Sequence, residues 1–125
     1  MQLDKTIAVF LGMLAGLSAH GHESSTAAMQ EMGGDPQRGK VALQQYACTG
    51  CHVIPGVVGA NSLVGPPLDR IAKRVYIAGS LPNTPENMIR WLRHPQEIAS
   101  LSAMPDLGVN ERDARDMAAY LYTLD

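Results

Sequence analysis

The chain has 125 residues, 46% apolar and 18% charged, with 10 Lys and Arg against 12 Asp and Glu for a net charge of −2. That length suits one domain, and so small a net charge argues against nucleic acid as the main partner. Aromatics are scarce (one Trp, one Phe, four Tyr), and a domain of this size buries a limited fraction of its surface, so a large apolar cofactor would fill a need in its core.

The opening, MQLDKTIAVFLGMLAGLSAH, reads as an export signal. Lys5 is the only cation ahead of an uncharged run from Thr6 to Ala19, whose apolar centre is Ile7 to Leu17. That centre is shorter than the about 20 residues of a membrane-spanning helix and matches the core of a signal peptide. Residues 1–19 are therefore assigned to a signal peptide, with an uncleaved anchor as the alternative; either places the remainder outside the cytoplasmic membrane, in the periplasm. Residues 20–34 are small, polar and aperiodic and read as a flexible leader. In it His20, His22, Met29 and Met32 receive no specific role. Residues 35–125 form the domain.

The first helix begins at GDPQRGK, with Asp35 as cap and Pro36 in the first position, and runs through Val41, Leu43 and Tyr46 toward Cys48. Gly39 in its interior signals a close backbone approach. The stretch from Ile54 to Leu68, crowded with Gly and Pro, is a constrained loop, and a short helix from about Leu68 to Val75 follows. Thr84 caps the next helix, Pro85 opens it and His94–Pro95 closes it. A loop, QEIASLSAMPDLGV, leads to the last helix from Asn110, where Ala114, Met117, Ala118, Leu121 and Leu124 make one inward face. No strand pattern of convincing length appears. The fold class is all-α, about four helices with long loops.

The two cysteines stand in ACTGCHVIPG, as Cys48 and Cys51 with His52 directly after. A structural zinc site needs four ligands, and no second Cys or His pair accompanies this one. A thioredoxin-like dithiol belongs at a strand-to-helix junction, whereas this pair follows a helix and enters a Gly/Pro loop. A plain disulfide leaves His52 without a role. The spacing C-x-x-C-H uses all three residues as the attachment signature of c-type haem: two thiols add to the two vinyl groups, and the histidine ligates iron from the same side. The export signal agrees, because bacterial attachment of this kind takes place outside the cytoplasm.

For the opposite face of the iron the candidate is Met104, in a loop and stiffened by Pro105; an ordinary core methionine is the alternative. Met88 and Met117 sit at helical core positions. His94 is the other candidate ligand, or a partner for its helix dipole. A neutral thioether favours Fe(II), so His/Met ligation raises the reduction potential relative to bis-His and closes the iron to substrates.

Gly39, CTGCH, GPPL, the Trp-bearing helix, MP and AAYLYTL together resemble the class I c-type cytochromes, with a single haem, from Gly33 to Asp125. The resemblance implies a cytochrome c fold wrapped around one covalent haem, with first and last helices crossing at Gly39 and Tyr120. It also implies that the carbonyl of Pro66 or Pro67 accepts from His52 Nδ1–H, a bond that orients the ligand and raises its basicity. A narrower likeness, RVYIAGSLPNTPENMIRWLRHPQEI, is similar to the cytochrome c domain of subunit II of bacterial haem–copper oxidases. It implies Arg74 and Trp91 as hydrogen-bond donors to the haem propionates, against a solvated role for Arg74 and a core role for Trp91. The chain departs from those subunits in having no copper-binding domain and no transmembrane hairpin, and in carrying SLSAM where many relatives have Pro-Gly before the methionine.

The function expected from these features is one-electron transfer in a respiratory chain, without enzymatic chemistry. The chain would be a periplasmic carrier that meets redox partners, a terminal oxidase or a periplasmic dehydrogenase, in brief encounters, with docking to a membrane complex included. The alternatives are a permanent haem subunit of such a complex and, in another class, a haem peroxidase or gas sensor. Cations concentrate in mid-sequence (Arg70, Lys73, Arg74, Arg90, Arg93) and carboxylates late (Glu97, Asp106, Glu111, Asp113, Asp116, Asp125). That distribution reads either as a polarised docking surface or as ordinary intrahelical pairing.

Overall fold

The computed structural model describes residues 27–30 and 33–125. The signal peptide assigned to residues 1–19 lies outside the described residues, as do His20, His22 and Met32. The described chain is all-α with long loops, and its helices begin where capping chemistry requires.

Helix α1 spans Pro36–Gln45. Asp35 Oδ1 accepts from the backbone N–H groups of Gln37 and Arg38 at 2.8 and 2.9 Å, and Pro36 occupies the first position, where a missing N–H costs nothing. Helix α2, Pro85–Arg93, is capped by Thr84 Oγ1. Helix α4, Glu111–Leu121, is capped by Asn110 Oδ1, which accepts from Asp113 N–H at 2.8 Å. Between α2 and α4 the expected loop contains one short helix, α3, Pro95–Ile98, opened by the proline that ends α2.

One expected helix shrinks, and a hairpin appears that the sequence did not announce. The helix sought between Leu68 and Val75 is a single 3-10 turn, Ile71–Lys73, because Arg70 ahead of it takes a left-handed φ of 52° that no α-helix continues through. After it comes a small antiparallel hairpin, β1 Tyr76–Ile77 with β2 Leu81–Pro82, paired Tyr76 to Pro82 and Ile77 to Leu81. Strands of two residues leave no alternation to detect in sequence.

Helix α4 packs on both α1 and α2. Of its expected inward face, Ala114, Met117, Ala118 and Leu121 are buried in one cluster with Leu43, Ile54, Ile71, Met88 and Leu92, while Leu124 lies beyond the helix end and is only partly buried against it. At the α1–α4 crossing a Cβ on Gly39 would lie 1.8 Å from the carbonyl oxygen of Asp116, so the two backbones touch there. The aromatic expected at that crossing lies one turn further on. Tyr120 instead donates to the Pro55 carbonyl at 2.6 Å and covers Gly56, fastening the loop after the cysteines to α4.

The leader also departs from its reading. Residues 27–30 are helical, and Met29 is 2% exposed within the core. Its Cε lies near Gly34, a residue close to Arg115 and Ala119 of α4. A lone methionine among small polar residues has no periodicity to announce its burial.

Candidate cofactor-binding site

Cys48 to Gly50 form a 3-10 turn entered through Ala47 at φ 58°, and His52 N–H closes it onto the Cys48 carbonyl at 3.0 Å. The tight turn therefore presents Cys48, Cys51 and His52 in immediate succession. Both thiols are free and half-buried. Burial pushes the Cys48 thiol up to about 11, the reverse of the lowered value that a dithiol oxidoreductase uses to make its thiolate.

Three ties hold the proline loop against this segment. Gly65 N–H donates to the Cys51 carbonyl at 2.6 Å and Leu68 N–H to the Val53 carbonyl at 2.8 Å. Between them His52 Nδ1 donates to the Pro66 carbonyl at 2.7 Å. A carbonyl only accepts, so Nδ1 carries the proton and Nε2 keeps the lone pair. Of the two prolines, Pro66 makes this bond; the carbonyl of Pro67 accepts from the Arg74 guanidinium.

Arg74 is half-buried and also reaches the Asp69 carbonyl at 3.4 Å. The guanidinium expected to serve propionates thus points at the proline loop. Trp91, half-buried on α2, lines an open cavity of about 560 Å³ with Ala78, Ile98, Ala99 and Leu101. Met104 packs half-buried against the core; its N–H donates to Ser102 Oγ at 3.1 Å, and its carbonyl accepts from Gln96 Nε2. His94 caps the C-terminus of α2, with Nδ1 3.9 Å from carboxylates of both Glu97 and Asp106.

The expected site residues therefore fall into two sets. Cys48, Cys51, His52, Pro66, Pro67 and Arg74 gather around the imidazole, while Trp91 and Met104 flank the 98–104 loop. No hydrogen bond among the described residues joins the two sets. Sequence reasoning missed Gly65 and Gln96; the first was hidden among other loop glycines, the second had no signal at all.

The donor chemistry fits a covalently held haem: two free thiols, an imidazole held through Nδ1, and a thioether on a separate loop. Exposed apolar side chains lie close in sequence to members of both sets. Leu63 and Val64 precede Gly65, Val75 and Tyr76 follow Arg74, and Leu101, 98% exposed, lines the Trp91 cavity. So much exposed apolar surface suits a broad apolar ligand or a partner. Among the described residues no three His, Cys, Asp or Glu side chains converge as ligands for a metal ion, and none of the helices is long and apolar enough to cross a membrane.

No family model matches the chain. It is similar to a cytochrome c oxidase subunit 2 from Alkalihalophilus pseudofirmus, 32% identical over 88 residues. The match covers 70% of this chain and 25% of that protein, so the chain spans about a quarter of the length of the curated relative.

Proposed function

We propose that the chain is a periplasmic one-electron carrier with a single haem c, held covalently by Cys48 and Cys51 and ligated by His52 and Met104, serving respiratory electron transfer. Bound haem supplies a reversible one-electron change at iron. The protein's residues supply the rest. The thiols fix the ring edge, His52 offers Nε2 while Pro66 holds its other nitrogen, and Met104 lends a soft, neutral sulfur that favours the reduced state. The observation that carries this reading is the folded C-x-x-C-H turn with Nδ1 of His52 already engaged, the arrangement that makes an imidazole a well-oriented ligand.

The likeness to an oxidase subunit supports a terminal oxidase as partner, met transiently through an interface below about 1,200 Å². The same likeness favours a second reading, a permanent subunit of such an oxidase. Purification under mild conditions separates the two, since a carrier elutes as a small protein and a subunit elutes within a large complex. For the ligand set, the oxidised protein should show the long-wavelength charge-transfer band of a Met–iron bond, and Met104→Ala should abolish it. A wild-type spectrum lacking that band would contradict Met104 as ligand and favour an open-site haem protein.

A further inference from the structure

Gly65 is a glycine whose backbone does not require one. It lies outside the left-handed region occupied by Gly56, Gly59 and Gly79. Its constraint is His52: a Cβ at position 65 would stand 2.5 Å from Cε1, 2.8 Å from Nδ1 and 3.1 Å from Nε2. The backbone at 65 therefore approaches the imidazole too closely for a side chain, and a Cβ there would force the ring or the loop to shift.

The loop that holds this contact is secured from behind by Arg74. Its guanidinium binds the carbonyls of Pro67 and Asp69, next to the Pro66 carbonyl that holds Nδ1. Arg74 is itself tied down, because its own carbonyl accepts from Asn83 Nδ2 at 2.8 Å. Asn83 also binds the Ile71 carbonyl at 2.9 Å and accepts from the hydroxyl of Tyr122, buried just beyond the end of α4. A continuous polar chain thus runs from the last helix to the back of the proximal loop.

We infer that Gly65 and Arg74 are positioning residues for His52: Gly65 sets the rotation of the imidazole, and Arg74 holds the loop whose Pro66 carbonyl accepts from Nδ1. The inference rests on the haem reading for its consequence at iron, and on the loop geometry alone for its effect on the ring. It gives Arg74 work at the carbonyl side of the loop in place of a propionate contact.

The test uses the exported protein as purified, with variants Arg74→Gln, Arg74→Lys and Gly65→Ala. Arg70→Gln is a control, because it removes the same charge from an exposed side chain whose partner is the Asp69 carboxylate. Nitrogen-15 NMR of the reduced protein reads the His52 tautomer and the exchange of its Nδ1 proton. Arg74→Gln should speed that exchange about tenfold, as loss of a charge-assisted hydrogen bond allows; Arg74→Lys should fall between Gln and wild type, and Arg70→Gln should change nothing. Gly65→Ala should alter the haem-methyl shift pattern of the oxidised protein, which follows the imidazole plane, with bound haem undiminished. In the wild type a nuclear Overhauser contact between Gly65 Hα and His52 Hε1 is required, and its absence overturns the glycine's role even if Gly65→Ala does not accumulate. Unchanged exchange in Arg74→Gln, with an altered pH dependence of the reduction potential, would overturn the brace in favour of a propionate partner. Haem content is measured separately: a protein without covalent haem sinks the carrier reading, while the His52 exchange rates still decide the role of the loop.

Discussion

Asp116 is 1% exposed, and three donors meet its carboxylate: Arg38 Nε at 2.7 Å, Arg38 Nη2 at 2.9 Å and the Asp35 amide at 2.8 Å. Burial pushes this carboxyl up, but Arg38 and the Asp35 amide outweigh burial and hold it below its ordinary 3.8. A carboxylate whose native pKa lies below its unfolded one gives stability that is complete above the unfolded value and is lost as pH falls through the native one. Unfolding measured against pH should therefore show stability falling below about pH 3.8. Asp116→Asn should flatten that acid limb and cost about 2 kcal/mol at neutral pH. Identical acid limbs in the two proteins would contradict the assignment. Sequence gave no hint of this residue's role, since an Asp in a helix beside Arg112 and Arg115 reads as a solvated charge. By contrast the proposed haem-attachment residues stand out from sequence one by one, because C-x-x-C-H is a local chemical pattern that needs no tertiary context.

At the level of elements, the contact between α1 and α4 is made by backbone at Gly39. With Asp116 O only 1.8 Å from the position a Cβ would take, and with no flexible side chain there to yield, Gly39→Ala must push the helices apart. Overpacking of this kind should lower stability by about 3 kcal/mol in urea unfolding; wild-type stability in the variant would show that the crossing is looser than described. The three long helices were readable because each start carries its own punctuation, Asp35–Pro36, Thr84–Pro85 and Asn110 with Asp113. The connecting elements were less so. Their shape depends on left-handed residues such as Ala47, Arg70 and Ala78, none of a type that advertises that conformation. The placement of Tyr120 at Pro55, one turn from the crossing, likewise depends on how two helices meet and is not written in either one.

At the scale of the molecule, part of the charge that looks segregated in sequence is paired among the described residues. Asp116 faces Arg38, and Glu111 pairs with both Arg93 and Arg115. With those two carboxylates paired and a net charge of only −2, little net field is left to steer a partner, so electron-exchange rates with a redox partner should depend only shallowly on ionic strength. A steep decline with added salt, followed by stopped-flow absorbance, would instead indicate a polarised docking face. The exposed apolar side chains Leu63, Val64, Val75 and Leu101 are the surface that an apolar ring or a redox partner would cover under the proposed function.

Under the proposed function, Cys48 and Cys51 hold a haem through carbon–sulfur bonds. That attachment is tested most directly by a pyridine haemochrome spectrum of the exported protein after denaturation and extraction with acidified solvent. The account predicts one haem per chain that stays with the polypeptide, and none retained in the Cys48→Ser, Cys51→Ser double variant. A polypeptide that comes through extraction colourless would contradict it.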